Sequence, residues 1–94
     1  QIEEKTEEKL FGTYRIKFQN RRLTRLDVGS LNIASLPKLP ESLEWLYCYN
    51  TKLTSVSQFP STLRRADLRR NQFSEKEKER IRQDAKAKNV DLSI

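Results

Sequence analysis

Three aromatic residues alternate along one short segment of the chain, at Trp45, Tyr47 and Tyr49. Side chains two residues apart point to the same side of a β-strand, so all three would share one face. Aromatic rings offer a large contact area at little cost in rotamer entropy, and guanidinium groups pair with carboxylates or phosphates through two parallel hydrogen bonds. Aromatic rings and guanidinium groups on one face therefore indicate binding of another molecule. The candidate contact residues are Trp45, Tyr47, Tyr49, Arg25, Arg65, Arg69, Arg70, Asp27 and Asp67.

The composition argues against catalysis. The chain has no histidine, one cysteine and two glycines, which excludes a Ser-His-Asp triad and a glycine-rich phosphate loop. Asp27 and Asp67 would lie two strands apart, about 9.6 Å, a separation that could suit an inverting glycosidase pair. Tyr47 lies between them, and no cleft is predicted. We expect a non-enzyme with no catalytic residue, no metal, no cofactor and no small-molecule substrate.

The elements that must position these residues follow from a twenty-residue period. Units begin at Leu23, Leu43 and Leu63, and the first two read LTRLDVGSLNIASLPKLPES and LEWLYCYNTKLTSVSQFPST. Positions 1, 4, 6, 11, 14 and 17 of the unit are apolar, and position 18 is proline in both. Such a period predicts a solenoid of stacked repeats. Each unit supplies one short strand, and its prolines form the return arc.

Stacking sorts the strand residues into inward and outward columns about 4.8 Å apart. We expect positions 4 and 6 to point inward, which makes Cys48 a core residue rather than a reactive thiol. The outward columns would place Arg25 and Arg65 beside Trp45, and Gly29 beside Tyr49 would leave a hollow. Arg64, Arg65, Arg69 and Arg70 would form a basic wall on the third strand. In the alternative interpretation, called decoration here, Arg25 and Arg65 stack on Trp45, and Glu44 pairs with Arg64. The outward side chains would then satisfy one another and would bind no partner.

The segments outside the repeats are expected to cap the two ends. Residues 1–10 are either a marginal helix or a disordered lead-in, and residues 14–18 alternate as a strand that pairs with the first repeat in an antiparallel hairpin. Ser74 with Glu77 forms a capping box that starts a helix. Ile81 and Ala85 form its apolar stripe, Asn89 ends it, and its charged run over 75–82 is interpreted as a solvated face. Val90, Leu92 and Ile94 would form a closing strand.

The expected organisation is therefore an N-terminal cap over 1–22, repeats over 23–73, and a C-terminal helix and strand over 74–94. The chain starts at Gln1 and contains no methionine, so we expect an excised domain or missing first residues.

The repeat units resemble the leucine-rich repeat family. The pattern LxxLxLxxNxLxxLPxLPxx is similar to the short bacterial-type class known from secreted effectors, and LEWLYCYNTKLTSV is similar to repeat arrays of giant viruses and protists. The resemblance implies an α/β fold: a short solenoid with a parallel sheet, an N-terminal β-hairpin cap and a C-terminal helix–strand cap. It also implies a binding scaffold used through its concave sheet. Position 9, where the family has Asn bonding neighbouring turns, is Leu31, Thr51 and Asn71, so this ladder is expected to be incomplete.

The net charge of the chain is compatible with more than one class of binding partner. The 94 residues carry a net charge of +6, which permits an acidic protein or a nucleic acid. We expect a protein partner bound through the aromatic row. Single-stranded RNA or DNA is the alternative, as is a purely structural role as the end of a larger effector or viral protein. The single cysteine favours a reducing, cytoplasmic location, and no segment is predicted to enter a membrane.

Overall fold

The fold consists of one sheet and one helix. A computed structural model describes residues 6–11 and 14–94, and over these residues the chain forms six strands and one helix. The elements are β1 (Thr6–Phe11), β2 (Tyr14–Gln19), β3 (Arg22–Asp27), β4 (Trp45–Tyr47), β5 (Arg65–Asp67), α1 (Glu75–Lys88) and β6 (Asp91–Ser93). The spatial order of the strands is their order in the chain. β1, β2 and β3 pair antiparallel, whereas β3 through β6 are parallel. The α/β class is confirmed.

The three repeat strands stack with equivalent positions opposite one another. Position 4 pairs Leu26 with Leu46 and Leu46 with Ala66. The turn after each strand is also repeated, since position 8 has a left-handed backbone in every unit: φ is 66° at Ser30, 54° at Asn50 and 59° at Arg70. The twenty-residue period of the sequence is therefore a structural period over these three units.

The core lies on one side of the sheet, beneath the two return segments. The first return segment connects β3 to β4, and the second connects β4 to β5. The inward residues at positions 4 and 6 are all buried, as predicted: Leu26, Val28, Leu46, Cys48, Ala66 and Leu68. Leu39, Val56 and Phe59 of the return segments close over them. Burial of each large apolar side chain contributes ~1.5–3 kcal/mol, so this shared core holds the short strands in register.

Asn71 connects two adjacent repeats through its amide group. Its Nδ2 donates to the carbonyl of Cys48 at 2.7 Å, and its Oδ1 accepts from the backbone N–H of Leu53 at 2.9 Å and from the hydroxyl of Thr51. The Thr51 hydroxyl also lies 3.1 Å from the Cys48 carbonyl, and its single proton serves either this carbonyl or the Asn71 Oδ1. The third unit thus makes the bond between turns that the sequence resemblance implies, and the threonine of the second unit supplements it.

The N-terminal segment differs from the prediction. The antiparallel hairpin of β2 and β3 is confirmed, and it turns through Asn20 and Arg21, both at positive φ (51° and 66°), as two-residue hairpins favour. Both alternatives predicted for residues 1–10, a marginal helix and a disordered lead-in, are wrong over residues 6–10, because Thr6–Phe11 is a strand that pairs with β2 along its whole length. Residues 1–5 lie outside the described residues. Backbone bonding to a distant strand overrides the weak helix propensity of this segment.

The C-terminal helix and strand form where predicted, but only the Ser74 half of the capping box forms among the described residues, because the Glu77 carboxylate is bonded to Val56 and Arg80. The Ser74 side chain accepts from the backbone N–H of Glu77 at 3.1 Å, and Asn89 ends α1 in the left-handed conformation at φ 58°. Ile81 and Ala85 are the buried residues of the helix. Leu92 then pairs beside Ala66 of β5. The helix covers the core, and β6 extends the parallel sheet.

The charged side of α1 is only partly solvated, which corrects the interpretation of residues 75–82. The carboxylate of Glu77 accepts from the Val56 N–H at 3.3 Å, and Arg80 donates to the Val56 carbonyl at 2.5 Å. One turn further on, Asp84 accepts from the Phe59 N–H at 2.7 Å and Lys88 donates to the Phe59 carbonyl at 2.5 Å. Two ion pairs of the helix thereby satisfy both backbone groups of two residues in the second return segment.

Candidate functional site

The outward side of β3, β4 and β5, opposite the core, is called here the outer face. Its register brings the predicted columns together: Trp45 pairs with Arg25 on one side and Arg65 on the other, and Tyr47 pairs with Asp27 and Asp67. Trp45 and Tyr47 are half-buried between their charged neighbours. The strand alternation forces this arrangement, because Leu46 between them is fully buried in the core.

An arginine stacks on one aromatic ring of the outer face, but the ring is not the predicted one. The Arg25 guanidinium lies 4.7 Å from the ring centroid of Tyr47, diagonally across the strand pair, rather than over Trp45. Arg65 turns away, donating to the Ser93 hydroxyl at 2.9 Å and pairing with Asp91 at 3.3 Å. Neither of these described arginines stacks on Trp45. Stacking on the Arg25 guanidinium holds the ring of Tyr47 in place.

The basic wall predicted on the third repeat is largely neutralised. Arg69 binds Asp67 through two hydrogen bonds of 2.9 and 2.8 Å, and Arg64 pairs with Glu44 at 3.2 Å, as the decoration interpretation anticipated. Arg65 is paired as described above. Among the described residues, Arg70 makes no hydrogen bond or ion pair and is exposed. Three arginines of the predicted wall are therefore paired with carboxylates. The charge of the fourth, Arg70, is not compensated by any described residue.

The Asp67 carboxylate is held in its ionised form. Its side chain is only 7% exposed, and the hydrogen bonds from the Arg69 side chain, supported by the Arg69 backbone N–H and the charges of Arg69 and Arg65, lower its pKa despite the burial. A general acid needs a raised pKa, so Asp67 does not suit the general-acid role of a glycosidase pair. The strand between Asp67 and Asp27 carries Tyr47.

Tyr49 lies in the turn that follows β4 rather than on the strand itself. Its ring covers Gly29 of the preceding repeat so closely that a Cβ atom at Gly29 would overlap it. The hollow predicted at Gly29 is therefore filled. The aromatic row splits into Trp45 and Tyr47 at the centre of the outer face and Tyr49 at its rim, because the strand ends at position 5 of the unit.

A shallow depression lies beside Tyr49 at this rim. It has a volume of about 250 Å³, and its lining residues are Ser30, Tyr49, Asn50, Arg69 and Arg70. Tyr49, Arg69 and Arg70 belong to the predicted contact set. Ser30 and Asn50 do not, although the repeat register places both in the outward column of position 8 with Arg70.

The remaining reactive groups are structural. Burial raises the pKa of the Cys48 thiol to about 12, with a contribution from the nearby carboxylates of Asp27 and Asp67, so almost no nucleophilic thiolate exists at neutral pH. No cluster of three or more metal-ligating side chains occurs among the described residues. Over the same part of the chain, no helix has both the length and the apolar character that crossing a membrane requires.

Comparison of the chain with protein-family models, with curated proteins and with solved structures gives no match. The interpretation of the outer face therefore rests on its geometry and on the residues of the repeat units.

Proposed function

We propose that this chain is a non-catalytic interaction module of the leucine-rich repeat type, a short solenoid that binds a protein partner through its outer face. The observation that carries the proposal is the stacking of two outward columns, Arg25–Trp45–Arg65 and Asp27–Tyr47–Asp67. Trp, Tyr and Arg are the residue types enriched in protein–protein hot spots, and all three meet in these columns.

The two central rings would have different parts in such an interface. Tyr47 is already held by Arg25 at 4.7 Å, so little rotamer entropy is lost when it is covered by a partner. Trp45 has no such stacking arginine among the described residues, and its half-buried ring can still lose solvent contact. Trp45 is the main anchor in this proposal, and Tyr47 is the preorganised neighbour.

The charge pattern favours a protein over a nucleic acid. Asp27 and Asp67 lie on both sides of Tyr47, and Glu44 pairs with Arg64. These carboxylates would repel a phosphate backbone that followed the stacked strands. Glu44 and Asp67 already neutralise Arg64 and Arg69, and Asp91 pairs with Arg65, which reduces the counterion-release energy that nucleic-acid binding uses. A protein surface with its own mixed charges can match both signs.

An intracellular location belongs to the same proposal. It is supported by the single cysteine, which is buried and unpaired, as in proteins of reducing compartments.

The proposal is tested by affinity capture with the wild type and with Trp45→Ala, with and without nuclease. A protein that is captured by wild type should then be titrated against both chains, and Trp45→Ala should weaken binding by ~2 kcal/mol or more, about thirtyfold. Gln58→Ala is the matched control, since Gln58 is exposed on a return segment away from the outer face. Equal affinities of Trp45→Ala and wild type would refute the proposal, as would capture only of nuclease-sensitive RNA or DNA.

A further inference from the structure

The depression at the rim of the outer face has the lining of an anion site. Its five residues contribute two guanidinium groups, two hydroxyls and one amide, and no carboxylate lines it. Such groups donate hydrogen bonds in directions that suit carboxylate and phosphate oxygens. A second, larger depression between return segments and the helix C-terminus differs, because the carboxylate of Glu41 lines it and one of its two lysines, Lys88, is already engaged by Asp84 at 3.0 Å.

The two arginines of the depression are in different states. Arg69 is oriented by Asp67, which occupies its Nε and one hydrogen-bonding position of Nη2 at 2.9 and 2.8 Å. The Nη1 group of Arg69 is not used in this bidentate contact. Arg70 is exposed and makes no ion pair with any described residue, so its charge is uncompensated. A fixed donor therefore lies next to an unneutralised cation.

The backbone that carries these groups is well defined. Asn50 donates its N–H to the Arg69 carbonyl at 2.8 Å, and Ser30 donates to the Tyr49 carbonyl at 2.9 Å. These bonds stack the three position-8 residues, all at positive φ. The ring of Tyr49 is fixed by contact with Gly29. The lining residues of the depression thus come from three consecutive turns whose backbone is held in place, which is a form of preorganisation.

We propose that this depression is an oxyanion subsite that receives one carboxylate or phosphate group of the protein partner, while Trp45 and Tyr47 contact the adjoining apolar surface. The inference rests on the proposed function and deepens it, since it names the chemistry of the partner: an anionic side chain close to an apolar one. Charge complementarity with Arg70 supports this occupant. A single uncompensated guanidinium suits one anionic group better than a row of phosphates.

The test uses small probes, so that it does not depend on the partner. Sodium acetate, inorganic phosphate and O-phosphoserine are titrated into ¹⁵N-labelled protein at constant ionic strength. The amide signals of Ser30, Asn50 and Arg70 should shift together and saturate with at least one probe. Saturation by acetate alone would identify a carboxylate subsite, and stronger binding of phosphate and O-phosphoserine would identify a phosphate subsite. Either result supports the oxyanion chemistry.

The decisive variant is Arg70→Asn. The equivalent position of the preceding repeat is already an asparagine, Asn50, whose φ of 54° is close to the 59° of Arg70. The substitution therefore preserves the turn and removes the charge. Binding of the preferred probe should weaken roughly tenfold or more, as expected for loss of a charge-assisted contact. Arg64→Ala is the matched control, because Arg64 is an exposed arginine of the same repeat that lies outside the depression.

Three outcomes would overturn the inference. The first is the absence of saturable shifts at the depression. The second is equal weakening by Arg70→Asn and Arg64→Ala, which would indicate diffuse attraction to net charge. The third is tight binding of a single-stranded oligonucleotide that both variants weaken equally, which would replace the protein partner by a nucleic acid. Trp45→Ala should leave probe binding unchanged, so failure of the subsite is distinguishable from failure of the proposed interface.

Discussion

Substitution of Asn71 by alanine should be among the most destabilising polar changes in this protein. The Asn71 amide group bonds the Leu53 N–H at 2.9 Å and the Cys48 carbonyl at 2.7 Å. Leu53 is fully buried, so after truncation its N–H is left without a partner, at a cost of ~2 kcal/mol. Without the Asn71 acceptor, the Thr51 hydroxyl can donate to the Cys48 carbonyl, 3.1 Å away, and the lost bond from Asn71 adds ~1 kcal/mol.

The expected loss is therefore about 3 kcal/mol, out of a total stability of ~5–14 kcal/mol for a domain of this size. Urea unfolding followed by the fluorescence of Trp45, the one tryptophan of the chain, measures it directly. With a slope of ~1.5 kcal/mol/M, the midpoint should fall by about 2 M while the slope is unchanged. Far-UV circular dichroism provides a second probe of the same transition.

Two further variants make this reasoning refutable. Asn32→Ala removes an exposed asparagine from the first return segment and should change stability by less than about 0.5 kcal/mol. Asn71→Thr reproduces the residue of the preceding unit and should recover part of the loss, because a threonine there can donate to a carbonyl three residues earlier, as Thr51 can. If Asn71→Ala and Asn32→Ala lowered the midpoint equally, Asn71 would not connect the repeats as described.

The remaining predictions concern the ionised groups. The pKa of Asp67 is lowered on folding, so its contribution to stability is present above pH ~4 and is lost as the pH falls through the folded pKa. Asp67→Asn should lower the free energy of unfolding by ~1–2 kcal/mol at pH 7, and this difference should shrink in urea titrations below pH ~4. Asp84→Ala leaves the N–H of the buried Phe59 unpaired and should cost ~1–3 kcal/mol in thermal or urea unfolding.

Each of these predictions has a contrasting outcome. A pH-independent difference between wild type and Asp67→Asn would mean that the Arg69 contact does not lower the carboxyl pKa. For the helix, Gln83→Ala serves as the control, since Gln83 neighbours Asp84 but is exposed and bonds only Glu79 in the described structure. Equal stability of the Asp84 and Gln83 variants would show that the contact of the helix with Phe59 contributes nothing.

Most elements of the fold could be predicted because their signals are local and periodic. The buried columns, such as Leu46 and Cys48, follow from apolar residues at fixed unit positions, and the ends of the helix follow from Ser74 and Asn89. Thr6–Phe11 could not be predicted in this way. Its residues favour a helix weakly, and only pairing with a strand on the far side of a turn makes it a strand, a contribution that a local pattern does not contain.

In the candidate site, too, the positions of the residues could be predicted from the sequence, but the contacts of their side chains could not. The register that surrounds Trp45 and Tyr47 with arginine and aspartate follows from counting residues within the repeats. The contact that each arginine side chain makes does not follow from this count. Arg25 stacks on Tyr47, and Arg65 turns toward β6. Long, flexible side chains select among several neighbours at similar distance, and burial and competing charges decide between them.

The sequence by itself determined the period, the inward columns, the helix and the presence of an aromatic pair among arginines and aspartates. These properties depend on residue type and spacing, and a strand or helix of fixed geometry converts spacing directly into position. The tertiary structure alone decided that Arg64, Arg65 and Arg69 are neutralised while Arg70 has no ion-pair partner among the described residues. It also decided that the helix bonds the backbone of Val56 and Phe59, and that Tyr49 fills the space above Gly29. Each is a contact between groups about 20 residues or more apart, or a choice between competing partners, which exists only once the strands and the helix have packed.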